Sequence, residues 1–368
     1  MVMENLSKVF HAWVGTALVV LKNIFHTYEY DINVEIVKFG GSSLATETTI
    51  KLCAEITKAS PKHQVIVVSA PGKYGIYQTK VTDDLIKVTQ GQPLLDNVIE
   101  RFNDIASKLL PPEQYQLFKI TLHRTKNEIL DQIADRDFVV SRGEYLSAKL
   151  FALYLGYNFI DAKDILVINS DTTVNLRATA QRIQRNKLKQ KLPFVIGGFY
   201  GQRAGKIALL SRGGSDYTGA VLAALMRASL YKNYTDSHGI QTADPRLVYN
   251  TQTINCLDFD SLDILTHNGA GIIHENVAEV LKNYRVPLRV DNTFCPDQLY
   301  TEVHSLRCRH CQEDFFCITH RDNRILIVTK QHGNPVTTQT INSTPETLVR
   351  DMQKLHLEMM NKSQNVSV

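Results

Sequence analysis

With 368 residues, of which 43% are apolar, the chain can bury one large α/β core or two smaller ones and is too apolar to be disordered. Lysine and arginine outnumber the acids by only +4 (41 against 37), and the excess is spread along the chain, which argues against a nucleic-acid partner and leaves room for a small anionic ligand. Six cysteines over this length, four of them beyond residue 290, do not make a secreted disulfide framework, so the cytoplasm is the expected compartment.

Residues 1–31 read as an N-terminal extension. Within it, Val9 to Leu21 is uncharged and mostly apolar between Lys8 and Lys22. It falls short of the roughly 20 residues that span a bilayer and contains His11, so a packed helix or a leader is expected and membrane attachment is not. The first strand, Glu35 to Phe39, runs into Gly40-Gly41-Ser42-Ser43 before helical spacing from Thr46 to Ala59. Two glycines at the C-terminal end of a strand let backbone amides approach an anion, and Lys38 adds a movable positive charge. A solvated edge charge is the competing reading of Lys38. The second strand, Val65 to Ser69, ends in Ser69-Ala70-Pro71-Gly72, and Thr82 beyond it either caps the next helix or meets a ligand. Asp84 to Ala134 has helical spacing broken at Pro111-Pro112 and shows no chemistry. After Phe138-Val139-Val140, Ser141-Arg142-Gly143-Glu144 opens a helix through Leu155. That places Glu144 in a first turn, either as a dipole partner or as the acceptor of a substrate ammonium group.

Asn158 to Asp161 and Leu166 to Asn169 read as short strands, and Pro193 to Gly198 as a buried strand with a glycine exit. Lys206 to Leu210 is a short apolar strand leading through Ser211-Arg212-Gly213-Gly214-Ser215-Asp216 into a helix from Tyr217 to Ala228. Here Ser215 is placed to cap the helix, and Gly213 and Gly214 let amides approach a phosphate. A further strand ends at Thr235-Asp236 and is followed by His238 to Arg246, where Asp236 and Asp244 could meet ribose or metal and Pro245 is equally a turn signal. Strands alternate with helices and repeatedly end in Gly, Ser, Thr or Asp. This predicts a three-layer α/β/α sandwich around a largely parallel sheet, with ligands at the C-terminal edge of the strands. No G-x-x-x-x-G-K-[ST] loop occurs, Gly269-Ala270-Gly271 lacks a third glycine, and His274-Glu275 is not followed by a histidine at helical spacing.

Taken together, Lys38-Phe39-Gly40-Gly41-Ser42-Ser43, Ser141-Arg142-Gly143-Glu144, Ser211 to Asp216, and Thr235-Asp236 with Asp244-Pro245-Arg246 resemble the aspartate kinase family in order and spacing, from about Val34 to Asn292. The resemblance implies an amino acid kinase domain over 32–296 that moves the ATP γ-phosphate to the β-carboxylate of L-aspartate. That step leads toward lysine, threonine and methionine. By the same resemblance Arg212 grips the substrate α-carboxylate and Glu144 its ammonium group, with Thr82, Gly213, Gly214 and Ser215 also on the substrate. Lys38, Phe39, Gly40 and Gly41 lie at the phosphates with Mg²⁺, Asp216 orients that metal through water, and Thr235, Asp236, Gln241 and Arg246 hold the nucleotide. Where the family often has tyrosine and lysine, this chain has Gln241 and Gly271. A catalytically silent regulatory relative and another amino-acid or carbamate kinase of the same fold are the competing readings. Residues 297–368 are too short for the two ACT-type regulatory modules that help most relatives sense effectors and dimerise. Ile325 to Thr329 resembles the opening strand of one, and Pro345 to Met360 reads as a helix. Feedback control is therefore expected to be weak or lost, and a homodimer is left open. Cys308, Cys311, Cys317 and His320 could supply four zinc ligands, but one close pair assigns no metal site.

Overall fold

The computed structural model describes residues 31–60, 62–211, 213–269, 273, 274, 276–304, 314–331, 334 and 336–365. In chain order the elements are β1 (Asp31–Phe39), α1 (Glu47–Ala59), β2 (His63–Val68), α2 (Val81–Thr89), α3 (Leu95–Leu109), α4 (Pro112–Asp131), α5 (Arg136–Leu155), β3 (Asn158–Ile160), α6 (Ala162–Ile165) and α7 (Leu176–Arg185). Then follow β4 (Phe194–Gly197), β5 (Tyr200–Arg203), β6 (Lys206–Leu209), α8 (Gly214–Met226), β7 (Ala228–Thr235), β8 (Cys256–Asp258), α9 (Phe259–His267), α10 (Asn276–Tyr284), β9 (Leu288–Asn292) and β10 (Thr301–His304). The C-terminal part adds β11 (Phe315–Arg321), β12 (Arg324–Lys330), β13 (Thr337–Asn342) and α11 (Leu348–Asn365).

Eight strands form one sheet in the order β3-β4-β2-β1-β7-β9-β10-β8, parallel throughout except where β10 runs against β9. Consecutive residues of β1, β2 and β4 are buried, Ile36, Val65, Ile66, Val67 and Val195 among them. A strand buried on successive residues has both its faces covered, which is why these segments read as unbroken apolar runs. Helix α8 lies over β1 and β7, and α5 runs along β3, β4 and β2. The fold is the expected three-layer sandwich.

Several local expectations change. Phe138 to Val140 are helical: α5 starts at Arg136, where the Asp135 carboxylate accepts the Phe138 N–H at 3.0 Å. Capping and burial outweigh the strand preference of Phe-Val-Val, so Glu144 sits in the body of the helix and not in its first turn. Leu166 to Asn169 makes only isolated bridges, and the residues before it form the short helix α6 behind an Asp161 cap. The strand ahead of Ser211 is half of an antiparallel hairpin with β5, outside the parallel sheet. Gly213, at φ 82°, is the N-cap of α8, which leaves Ser215 inside the helix and not at its cap.

The C-terminal part contains two strands that the sequence did not reveal, β11 and β13, flanking β12 in a three-stranded antiparallel sheet. It has its own hydrophobic cluster: Phe316, Ile318, Ile325, Ile327 and Met352 pack together with Ala243 and Val248 from the loop after β7. Among the described residues no helix is long and apolar enough to cross a membrane, and the run Val9 to Leu21 lies outside those residues.

Candidate active site

The C-terminal ends of β4, β2, β1 and β7 lie side by side, and the loops leaving them stay bonded to one another. Gly198 N donates to Val68 O at 2.9 Å, Ser69 N to Phe39 O at 3.2 Å, Gly40 N to Tyr234 O at 3.1 Å and Gly72 N to Gly41 O at 2.7 Å. The sheet is thus extended by one rung past its strands, which fixes the loop backbones that would face a ligand. One consequence departs from the sequence reading. The Gly40 amide is committed to Tyr234 and the Gly214 amide to Ser211 O at 3.0 Å, so neither is offered to an anion in this state. Phe39 contributes backbone only, since its ring is fully buried and stacks on Tyr234 with centroids 5.2 Å apart.

At the β1 end, Lys38 Nζ lies 2.6 Å from Asp216 Oδ1, and both side chains are about nine-tenths buried. Asn233, opposite Lys38 in the β1–β7 register, donates its Nδ2 hydrogen to the same oxygen at 3.1 Å. The Tyr231 hydroxyl holds the Asp216 carbonyl at 3.0 Å. A buried ion pair of this kind needs such added hydrogen bonds to offset desolvation. It also keeps the ammonium pointed over Gly40, where a Cβ would lie only 3.5 Å from Lys38 Nζ.

The second cluster centres on Glu144, 4% exposed in the middle of α5. Its Oε1 accepts from the Ala70 amide at 3.1 Å and sits 3.5 Å from Thr82 Oγ1, while Oε2 is buried with no partner. Thr82 is not the cap of α2, since Lys80 holds that position; it faces Glu144 instead. Burial raises the Glu144 carboxyl from 4.5 to about 7, against the opposing pull of the Ala70 and Thr82 hydrogen bonds and nearby Arg142. An apolar helix that buries a half-satisfied acid bears a cost that packing alone does not explain. The exit of β4 connects the two clusters: a side chain at Gly197 would press on the Glu144 backbone, and one at Gly198 would fall 2.7 Å from Ser215 Oγ.

The third group lies beyond β7. Thr235, Asp236, Gln241 and Arg246 all line one cavity of about 640 Å³, next to Lys38 in the sheet because Tyr234 pairs with Phe39. Arg246 is held by Asp244, Nη2 to Oδ2 at 2.6 Å, and the Gln241 carboxamide accepts from Thr251 Oγ1. Arg212, Gly271, Cys308 and Cys311 lie outside the described residues. Cys317 is fully buried with its thiol pushed up to about 12 by desolvation, and its Sγ donates to Gln241 O at 3.3 Å. Among the described residues no group of three metal-ligating side chains is found.

Three contributors were missed in the sequence. Asn233 looks like an ordinary strand residue until the register places it against Asp216. Arg101 of α3, in a stretch that showed no chemistry, is buried. It donates to Gly72 O at 2.6 Å, Ala45 O at 3.3 Å and Thr79 O at 3.0 Å, and so ties down the loop behind Gly41. His274 accepts the Asn276 amide on Nδ1 at 3.1 Å, which leaves Nε2 to donate to Ser211 Oγ at 2.8 Å. Its ring stacks on Tyr217 with centroids 5.6 Å apart. An arginine inside a helical layer and a histidine after a glycine-rich turn were the available signals, but their partners are remote in sequence.

Comparison with known proteins gives a consistent picture. Residues 33–292 match the amino acid kinase family. Aspartokinase 3 of Bacillus subtilis is 29% identical over 296 residues, covering 74% of this chain and 64% of that protein. An aspartokinase of Rickettsia felis is 32% identical over 271 residues, covering 71% of this chain and 58% of that protein. The chain therefore spans about six-tenths of the length of these relatives. A crystal structure of Clostridium acetobutylicum aspartate kinase is 31% identical with a TM-score of 0.63, covering 74% of this chain and 63% of that one. E. coli aspartokinase III in complex with aspartate and ADP shares the fold at 21% identity, with a TM-score of 0.70 over 84% of this chain and 79% of that one.

Proposed function

The chain belongs to the amino acid kinase family, and on that footing we propose that it is an aspartate kinase, transferring the γ-phosphoryl group of ATP to the β-carboxylate of L-aspartate to give 4-phospho-L-aspartate. The observation that carries this reading is the Glu144 carboxylate, buried, fixed through one oxygen and unpartnered at the other. That is the acceptor an α-ammonium group requires. The aspartokinases among the relatives and the aspartate in the E. coli aspartokinase III complex support it.

The acceptor carboxylate is ionised near neutral pH, so the reaction needs no general base and rests on alignment and charge neutralisation. Glu144 takes the substrate ammonium, Thr82 and Ser215 border it, and Arg212 receives the α-carboxylate through its planar fork beside Gly213, the Gly214 amide being held by Ser211. Lys38 stabilises charge on the moving phosphoryl group beside Gly40 and Gly41. Thr235, Asp236, Gln241 and Arg246 line the nucleotide end. Magnesium, when bound, neutralises phosphate oxygens. Asp216 is the carboxylate beside Lys38 that could orient it, and this fits an ion that draws most of its ligands from phosphate and water. The product would enter lysine, threonine and methionine synthesis in the cytoplasm.

The test is to incubate the pure protein with ATP, Mg²⁺ and hydroxylamine plus either aspartate or glutamate. Hydroxamate formed with aspartate and not with glutamate is the expected result. No aspartate-dependent hydroxamate would sink the reading and favour a catalytically silent relative, and glutamate-dependent product would favour another kinase of the fold. Arg212→Ala is expected to lower kcat/KM for aspartate by about 10²-fold or more, the loss of a bidentate charged contact, with an unchanged circular dichroism spectrum. Near-normal turnover would remove Arg212 from the site.

A further inference from the structure

The cavity that receives Thr235, Asp236, Gln241 and Arg246 is closed on its far side by the C-terminal part of the chain: Cys317, Ile318, Thr319 and His320 of β11 and Met352 of α11 belong to its lining. This contact is built in. Ile318 N donates to Thr242 O at 2.7 Å, and Ala243 and Ile318 form a parallel bridge. Thr319 Oγ1 donates to Asn268 O at 2.6 Å, and the buried His356 pairs with Thr242 Oγ1 at 2.9 Å. Gly269, at φ +99°, is where a Cβ would collide with the His320 carbonyl at 2.2 Å, so the strand fits there only against glycine. The hydrophobic cluster of the C-terminal sheet also includes Ala243 and Val248, on either side of Asp244-Pro245-Arg246.

Two imidazoles line this space. His238 comes from the loop after β7 and His320 from β11, and both line the cavity. In both, Nδ1 is buried without a partner. A buried nitrogen without a partner is less costly as a bare lone pair than as an N–H, which leaves Nε2 as the donor of each ring. The volume of about 640 Å³ is in the range of small-molecule sites. Because the cavity adjoins Lys38 through β7, the part of a nucleotide lying farthest from the transferred phosphate would occupy it.

We infer that the C-terminal sheet and helix are a structural wall of the nucleotide site, with His320 and His238 donating hydrogen bonds to the base or ribose of the bound nucleotide. The inference rests on the nucleotide reading of this cavity given above. It assigns β11 and Met352 of α11 a direct part in substrate binding.

Isothermal titration of the full-length protein with ADP tests it, using wild type, His320→Asn, His238→Asn and Gly269→Ala, alongside steady-state kinetics. Each histidine variant is expected to bind ADP five- to tenfold more weakly and to raise KM for ATP by a similar factor, with kcat and KM for aspartate within twofold of wild type. The unchanged aspartate KM certifies that the variants are folded. Gly269→Ala, which displaces β11, is expected to weaken ADP binding at least as much. Wild-type affinity for ADP in both histidine variants would overturn the inference while leaving the kinase reading intact. Absence of ADP binding by the wild type would overturn both. If ADP binds as described but no hydroxamate forms, the kinase reading falls and the wall stands.

Discussion

Lys38→Met is expected to lower kcat by about 10³-fold, because it removes a cation positioned over Gly40 to meet charge on a transferring phosphoryl group. It should also destabilise the fold by roughly 3 kcal/mol, since among the described residues Asp216 is then left buried with the Asn233 amide as the partner of its carboxylate. The two effects can be separated. Adding Asp216→Asn removes the orphaned charge, so the double variant should regain most of the lost stability in urea denaturation and none of the activity. A double variant as inactive as the single one, with restored stability, shows that the lost turnover is not a folding defect and that the pair serves the reaction. Recovery of turnover along with stability would show that the lysine only balances Asp216.

Glu144→Gln is expected to raise KM for aspartate by about 10²-fold, the loss expected when one partner of a buried charged hydrogen-bonded pair is neutralised. Its stability should change in the opposite sense as pH rises. The Glu144 carboxyl stands at about 7 in the fold against 4.5 ordinarily, so the folded state resists ionisation more than the unfolded chain does. Wild-type stability from this group is therefore complete below pH 4.5 and is lost as pH rises toward 7, a swing of roughly 3 kcal/mol. Glutamine does not titrate, and the stability of the variant relative to wild type should improve by about 2 to 3 kcal/mol between pH 4 and pH 8. A difference independent of pH would show that Glu144 is already ionised in the free protein. The same carboxyl predicts that aspartate binding to wild type at pH 6 releases about one proton and at pH 8.5 almost none, readable from titrations in buffers of different ionisation enthalpy.

How much of this was legible beforehand depends on how local each determinant is. Lys38 stood out because it precedes a glycine pair at the C-terminal end of a strand, and Thr235 with Asp236 stood out through the family resemblance. The parallel sheet was visible for the same reason that β1, β2 and β4 are buried on both faces. Glu144 was singled out as a first-turn residue, but Asp135 captures the Phe138 amide and begins the helix five residues ahead of Ser141. Asn233 and Arg101 became meaningful only through the register of β1 against β7 and through carbonyls 22 to 56 residues away. β11 and β13 escaped notice because their mixed polar composition makes sense only once β12 lies between them and the loop at 243–248 lies beneath.

The shared cluster of that loop with Phe316, Ile318 and Met352 also has a meaning in time. A ribosome adding roughly 5 to 20 residues per second needs several seconds more to travel from Val248 to Met352. Throughout that interval every strand of the parallel sheet but β8, β9 and β10 already exists, while the cavity beside it still lacks a side. Until it ends, the cavity has the lining that comes from the loop after β7 and lacks the lining that comes from β11 and from Met352 of α11.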